Sequence, residues 1–178
     1  SVARLQEFAL DFKVEPVDLA EAVRRVINQR RKQFIRLTLY PEIDAPDGDW
    51  HVLTDAKWNG FVIDQIVSNA LKYGSQGGAP GQRLRFSLRR TEAGVTLTIA
   101  DQGPGIPPED LPRIFDPFFT GVNGRRFADA TGIGLFVVRE VTSRLGHRVA
   151  VASAPGQGTA VTLTYEPYKS VRLEGPAR

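Results

Sequence analysis

The chain has 178 residues, of which 42% are hydrophobic and 24% charged, and 23 Lys and Arg against 20 Asp and Glu leave a net charge of +3. This balance favours one globular domain over a disordered chain, and no run approaches the ~20 apolar residues of a membrane helix. With no cysteine and two histidines, disulfides, a thiolate nucleophile and a multi-histidine metal centre are excluded. A start at Ser1 and the absence of Met indicate a piece excised from a longer protein.

The N-terminal part of the sequence predicts helices followed by a strand. Val2 to Phe12 carries Leu and Phe at helical spacing and is interpreted as the end of a helix that begins upstream, which Lys13 to Pro16 interrupts. Asp18 has the position of an N-cap, so a helix is expected from there to about Gln33. Apolar and polar residues alternate from Ile35 to Leu39, which predicts a strand, and Pro41 to Asp49 predicts a loop.

The middle of the sequence predicts a long helix and a hairpin. Trp50 to Leu53 is expected to form a short strand, and Thr54 is expected to cap a helix that runs to about Tyr73. Two alternating segments on either side of Glu92-Ala93-Gly94 predict a β-hairpin. The inward face of the helix mixes two amides with apolar residues, in the order Trp58, Phe61, Val62, Gln65, Ile66 and Asn69.

The C-terminal part completes the expected fold. The sequence predicts a long loop from Asp101 to Thr131 and a helix from Gly132 to about Leu145. It predicts strands from Val149 to Ser153 and from Ala160 to Tyr165. The order of elements favours an α+β fold. We expect a two-layer α/β sandwich in which one mixed, mostly antiparallel sheet is covered on one face by three helices.

The helix with two amides contains the first candidate site. Asn69 would direct an amide oxygen, a ligand suited to Mg²⁺, into the interior. Lys72 could face a phosphate as a point charge, and Tyr73 offers a flat apolar surface. Because a lone buried Asn is more often a hydrogen-bonded core residue, this motif needs support from the others.

Glycine-rich turns form the other candidate sites. Asp101-Gln102-Gly103-Pro104-Gly105 follows a strand, and its carboxylate can accept a hydrogen bond from an exocyclic amine such as that of adenine. Thr131-Gly132-Ile133-Gly134-Leu135 opens a helix, where backbone amides bind anions. Between them, Arg113 to Phe119 holds three aromatic side chains that must dock, which fits a lid over a ligand. Gly156 to Thr159 is a turn before the last strand.

In this order the motifs resemble the N, G1, F, G2 and G3 boxes of the ATP-binding catalytic domain of sensor histidine kinases. The resemblance runs from about Glu15 to Glu166. It extends to a superfamily with gyrase B subunits, mismatch-repair ATPases and the ninety-kilodalton heat-shock chaperones. It implies a Bergerat-type fold for residues 16–168, with an ATP lid at about 106–131. Residues 1–15 would be a remnant of the dimerisation and phosphoacceptor helix with its linker, and residues 169–178 a flexible tail.

The resemblance also implies a role for each candidate residue. Asp101 would bind the adenine amine, Asn69 would coordinate the Mg²⁺ that bridges the phosphates, and Lys72 would contact phosphate. Asn69 and Lys72 are therefore the residues expected to act in catalysis. The other expected contacts to Mg-ATP are Tyr73, Gly103, Gly105, Ile106, Arg125, Arg126, Thr131, Gly132, Ile133, Gly134, Leu135 and Thr159, with the arginine pair directed at the γ-phosphate.

Gln65 distinguishes between members of the superfamily. The hydrolytic members carry a Glu one turn before the Mg²⁺-binding Asn, and an amide cannot act as a general base. The sequence therefore favours a kinase over an ATP-hydrolysing member, and intact boxes argue against a non-catalytic nucleotide-binding domain. The basic run from Arg24 to Lys32 could bind nucleic acid but is interpreted as a solvated helix face.

Three stretches, Thr54 to Trp58, Asp64 to Tyr73 and Phe119 to Arg125, resemble intramembrane-sensing kinases associated with peptide-antibiotic-resistance transporters in bacteria. This implies a cytoplasmic domain of a membrane-anchored protein, with no nucleic acid and no membrane contacted by this segment. The implied partners are its own dimerisation and phosphoacceptor domain, a response regulator and a peptide-antibiotic ABC transporter. Neither His51 nor His147 has the context of a phosphoacceptor, which is expected upstream.

Overall fold

The computed structural model describes residues 11–75, 80–119 and 134–166. Helices and strands alternate irregularly along this part of the chain. In chain order they are β1 (Val14–Asp18), α1 (Leu19–Gln29), α2 (Arg31–Arg36), β2 (Tyr40–Asp44), β3 (His51–Asp55), α3 (Ala56–Asn69), β4 (Arg83–Thr91), β5 (Gly94–Ala100), α4 (Gly134–Arg144), β6 (Arg148–Ser153) and β7 (Thr159–Tyr165). A π-helical turn, Ala70–Gly74, extends α3, and Leu111–Arg113 forms a single 3₁₀ turn.

Five strands form the central sheet in the order β2-β4-β5-β7-β6. β2 pairs with β4 in parallel, and the other neighbours are antiparallel. The expected mixed, mostly antiparallel sheet is therefore confirmed. β1 and β3 form a separate two-stranded antiparallel ribbon, which the expectation of a single sheet omitted.

The core lies between one face of this sheet and the helices α1, α3 and α4. Alternate strand residues, such as Phe86, Leu97 and Leu163, are buried against these helices, as period-two patterning requires. On β4, β5, β6 and β7, the alternating residues that point to the other face are mainly Arg, Thr, Ser and Ala. The helices contribute Leu19, Val23, Val26, Val62, Ile63, Ile66, Val67, Val137, Val138 and Val141 to the same cluster. The expected arrangement of three helices on one face is confirmed.

The predicted strand from Ile35 to Leu39 is wrong. Residues 31–36 form α2, which buries Phe34 and leaves the Ile35 side chain 68% exposed. The backbone then turns through a left-handed Thr38, with φ of 51°, before the parallel strand begins at Tyr40. The alternation was misleading because the side chains involved end up on a helix and a turn. The loop predicted from Pro41 to Asp49 is also in part wrong, because β2 extends to Asp44.

Several predicted boundaries also move. Lys13 to Pro16, interpreted as a break, lies mostly in β1, and Pro16 is tolerated because this ribbon has only two strands. Asp18 caps α1 as predicted, its Oδ1 accepting from Ala20 N at 3.0 Å, but α1 ends at Gln29.

The cap of α3 is Asp55 instead of Thr54. Asp55 Oδ1 accepts from Trp58 N at 2.9 Å, whereas the Thr54 hydroxyl is buried against His147. The α-helix expected to continue to Tyr73 changes to a π turn after Asn69. Within the described residues, no helix has the length and apolar character needed to cross a membrane.

Candidate functional site

Three polar side chains form a row across one end of the sheet. The strand register pairs Ala100 with Ala160 and Ser153 with Thr159, so Asp101, directly after β5, lies beside Thr159 of β7, and Thr159 lies beside Ser153 of β6. Each has the parity of the core-facing residues of its strand and therefore projects from the face that the helices cover. Backbone bonds join Asp101 to Thr159, with Asp101 N donating to Thr159 O at 2.9 Å.

The Asp101 carboxylate is held from one side only. Its Oδ1 accepts from Gly103 N at 2.9 Å and from Thr159 N at 3.2 Å, while Oδ2 has no hydrogen bond within the described residues. Burial raises the pKa of this carboxyl above its ordinary value, and the two backbone N–H bonds oppose part of the rise. The result is a fixed, desolvated hydrogen-bond acceptor with one oxygen left for a ligand.

Close backbone packing around Asp101 requires glycine at several positions. A Cβ added to Gly74 would lie 2.7 Å from Asp101 Oδ2, and one added to Gly103 would overlap the backbone of Gly74. Gly105, with φ of 78°, approaches Ala154 O, and Gly158, with φ of 76°, approaches Asp101 O. Gly103 and Gly105 were singled out from the sequence. Gly74, at the end of the π-helical turn, was missed, and Gly158 was recognised only as part of the motif from Gly156 to Thr159.

The C-terminal end of α3 meets the N-terminus of α4. A Cβ added to Gly134 would lie 3.0 Å from Gln65 Oε1 and 3.8 Å from Asn69 Oδ1. The two amides that the sequence placed on one helix stripe therefore face the first residue of another helix, where unpaired backbone N–H groups attract anions. In the described part of the chain, the Asn69 side chain forms no hydrogen bond with protein.

The π-helical turn carries the next two predicted residues. Lys72 and Tyr73 lie in Ala70–Gly74, immediately after Asn69, and both are half-buried. Such turns occur often at functional sites because the extra residue changes the direction of the side chains that follow. Within the described residues, no three His, Cys, Asp or Glu side chains group as a metal cage would. A metal here would depend on amide oxygens and on the ligand itself.

The other predicted residues divide into described and undescribed ones. Ile106 donates its backbone N–H to Ser153 Oγ at 2.8 Å, and Leu135 lies in the first turn of α4. Arg125, Arg126, Thr131, Gly132 and Ile133 lie outside the described residues, as do residues 120–131 of the proposed lid and both chain ends. Ser153 was not predicted as a site residue, and its only signal was its place at the end of a strand.

The aromatic segment before the undescribed region is partly docked. The Arg139 guanidinium of α4 lies 5.5 Å from the Phe115 ring, and that of Arg113 lies 4.5 Å from Phe119. Phe118 is 69% exposed and has a left-handed φ of 66°. The expectation that all three rings would dock is wrong for Phe118.

Both histidines lie away from this site. His147 is buried after the end of α4, its Nε2 lies 2.8 Å from Thr54 Oγ1, and burial lowers its pKa to about 4. His51 lies in the β1–β3 ribbon, with Nδ1 2.5 Å from Asp49 Oδ1.

Known proteins with this sequence pattern are ATPases and kinases. Residues 54–169 match the family of histidine kinase-, DNA gyrase B- and HSP90-like ATPases. The sensor histidine kinase YxdK of Bacillus subtilis is 42% identical over 163 residues, which are 92% of this chain and 49% of YxdK. The structure of the mycobacterial sensor histidine kinase MprB is 28% identical with a TM-score of 0.70, covering 86% of this chain and 97% of that one.

A further solved structure shares the fold. Histidine kinase ThkA, in complex with the response regulator protein TrrA, gives a TM-score of 0.69 at 18% identity, covering 92% of this chain and 46% of that one. The chain therefore belongs to the histidine kinase-, DNA gyrase B- and HSP90-like ATPase family, as the ATPase domain of the sensor histidine kinase type. It spans about half the length of YxdK, so this similarity by itself does not assign the activity of a whole kinase to the chain.

Proposed function

We propose that this chain is the catalytic domain of a two-component sensor histidine kinase. It binds Mg-ATP and donates the γ-phosphoryl group to a histidine on a dimerisation domain that is not in this chain, for relay to an aspartate of a response regulator. The observation that carries the proposal is the Asp101 carboxylate, desolvated and held through Oδ1, with Oδ2 directed at a surface of glycine backbone.

The adenine ring fits the end of the sheet. Asp101 Oδ2 accepts from the exocyclic amine, and the glycine backbone of Gly74 and Gly103 leaves room for a flat ring. Ile106, Tyr73 and Thr159 complete the surroundings of the base. A carboxylate that is already desolvated loses little further hydration when the base binds, so its hydrogen bond contributes to affinity.

The phosphates fit the junction of α3 and α4. Asn69 Oδ1 is the metal ligand, Lys72 supplies positive charge, and Gly134 and Leu135 at the start of α4 offer backbone N–H groups. Thr131, Gly132 and Ile133 are proposed as further phosphate contacts. When bound, Mg²⁺ neutralises charge on the phosphates as the γ-phosphoryl group leaves. Arg125 and Arg126 are proposed γ-phosphate contacts.

Gln65 argues against the hydrolytic alternative. Its amide lies against Gly134, next to the phosphate end of the site, where a hydrolase needs a general base. His147 is buried and His51 is paired with Asp49, which supports an acceptor histidine upstream, beyond this chain. We propose membrane anchoring through that upstream part, and a response regulator as partner, as in the ThkA complex. A peptide-antibiotic transporter is a finer proposal that rests on the sequence resemblance alone.

Titration calorimetry with a non-hydrolysable ATP analogue tests this function. Wild type is expected to bind with Mg²⁺ and more weakly without it. Asp101→Asn should lose at least about tenfold in affinity in both conditions, because an amide N–H2 facing the amine replaces an acceptor. Asn69→Ala should lose most of the Mg²⁺ dependence. The exposed Ser143 on α4 gives the control, Ser143→Ala. Unchanged binding by Asp101→Asn contradicts the adenine site, and full Mg²⁺ dependence in Asn69→Ala contradicts the metal site.

A further inference from the structure

The Ser153 hydroxyl is the centre of a complete hydrogen-bond set. It lies 2.8 Å from Gly158 O, 2.9 Å from Thr159 Oγ1 and 2.8 Å from the N–H of Ile106. Ile106 belongs to the loop after β5, Gly158 to the turn before β7, and Thr159 is the first residue of β7. One side chain therefore joins the two segments on either side of Asp101.

The chemistry of these partners determines where the protons lie. A carbonyl oxygen only accepts, so the single Ser153 proton goes to Gly158 O. The Ile106 N–H takes one Ser153 lone pair. The Thr159 hydroxyl must then donate to the other lone pair, because Ser153 has no second proton.

Strand order sets the direction of the Thr159 hydroxyl. β7 lies between β5 and β6, so Thr159 has Asp101 on one side and Ser153 on the other. Its proton points to Ser153, which leaves its lone pairs on the side of Asp101. Thr159 N is bonded to Asp101 Oδ1 at 3.2 Å, so the hydroxyl of the same residue presents a second acceptor beside this carboxyl group.

We propose that Ser153 is a positioning residue that selects adenine over guanine, by keeping the Thr159 hydroxyl turned as an acceptor beside Asp101. The inference rests on the proposed function, since it needs the base at Asp101. The exocyclic group of adenine at this place is an amine, which donates to two acceptors. Guanine carries a carbonyl there, which faces two acceptors and has no donor. Sites built this way discriminate strongly, because the wrong ligand leaves desolvated polar groups unpaired.

The test compares the affinities of Mg²⁺ complexes of non-hydrolysable ATP and GTP analogues by calorimetry. In Ser153→Ala the Thr159 proton is released and can turn toward Asp101, where it competes with the adenine amine and can donate to the guanine carbonyl. We expect detectable GTP-analogue binding and a fall of about tenfold in the ratio of GTP to ATP dissociation constants. A variant with merely looser loops would lose both nucleotides equally and keep the ratio.

Further variants distinguish the mechanism from a folding defect. Ser153→Thr keeps the hydroxyl on a strand residue and should keep the wild-type ratio. Adding Thr159→Val to Ser153→Ala removes the released donor and should abolish the gain in GTP binding. Ser143→Ala should match wild type, and thermal unfolding establishes that each variant is folded.

The outcomes separate the two proposals. If wild type fails to bind the ATP analogue, the proposed function fails. If wild type binds it and Ser153→Ala keeps the wild-type ratio, or gains no GTP binding, the role of Ser153 alone is wrong. A gain in GTP binding that persists after Thr159→Val is added also overturns it, since the donor would then be another group.

Discussion

The Arg30 guanidinium, at the junction of α1 and α2, and the Asp64 carboxylate of α3 are joined by two hydrogen bonds. Arg30 Nε lies 2.7 Å from Oδ1, and Nη2 lies 2.9 Å from Oδ2. The side chains are only 23% and 26% exposed. Arg30 belongs to the basic run from Arg24 to Lys32, so one charge of that run is committed to holding two helices together.

Arg30→Ala is expected to lower the free energy of unfolding by about 1–3 kcal/mol, because it leaves a partly buried carboxylate without its charged partner. Urea unfolding measures this. The control is Arg24→Ala, whose 3.6 Å ion pair with Glu21 is exposed and should contribute less than about 0.5 kcal/mol. Equal losses in the two variants would contradict the importance of partial burial here.

Asp101→Asn is expected to separate binding from stability. The pKa of Asp101 is raised in the folded state. Its contribution to folding stability is therefore present at acid pH, below the unfolded pKa, and is lost as pH rises through the folded pKa. At pH 7 a neutral Asn should therefore leave thermal stability equal or higher while ATP binding falls.

The control for Asp101 is Asp44→Asn, where Arg89 and Arg85 lower the pKa of the carboxyl. This variant should lower the melting temperature at pH 7 and leave ATP binding unchanged. A melting temperature of Asp101→Asn clearly below wild type would show that the carboxylate is structural.

His147 should make the domain sensitive to mild acid. Its folded pKa of about 4 lies below the ordinary value of 6.5, so between these values the unfolded chain binds a proton that the folded chain excludes. Stability is therefore lost as pH falls from about 6.5 toward 4, by about 2 kcal/mol at pH 5 from this group. His147→Gln, measured by urea unfolding at pH 7 and pH 5, should lose correspondingly less than wild type. The same loss in both proteins would assign the acid sensitivity to other groups.

Gly105→Ala should be more damaging than Gly156→Ala. Both glycines have positive φ, of 78° and 77°, so each substitution incurs about 1 kcal/mol of backbone strain. Among the described residues, the Cβ added at Gly105 meets Ala154 O, whereas the one added at Gly156 has no atom within 4 Å. Gly105→Ala should therefore unfold at a lower temperature and bind ATP more weakly than Gly156→Ala. Equal melting temperatures would mean that the loop moves aside without cost.

Sequence patterns located the elements that have strong local signals. The hairpin of β4 and β5, the last two strands and most of α3 and α4 were predicted because alternation or helical spacing persists over many residues. The errors fall where signals are short. The segment from Ile35 to Leu39 alternates by coincidence, and Val14–Asp18 contains a Pro that is tolerated only because its ribbon is narrow. Thr54 and Asp55 are both capping residue types, and the burial of Thr54 against His147 left the cap to Asp55.

The sequence by itself determined the family of this protein, because ordered motifs such as Asp101 with its glycines and Asn69 with Lys72 are local. Tertiary structure decided which of these groups meet. Gly134 faces Gln65 and Asn69 only because α4 packs on α3. Ser153 could be recognised as a site residue only from the strand register, which aligns it with Thr159 and Asp101. Hydrogen bonds between distant strands depend on register and distance, and neither is contained in the spacing of residues along the chain.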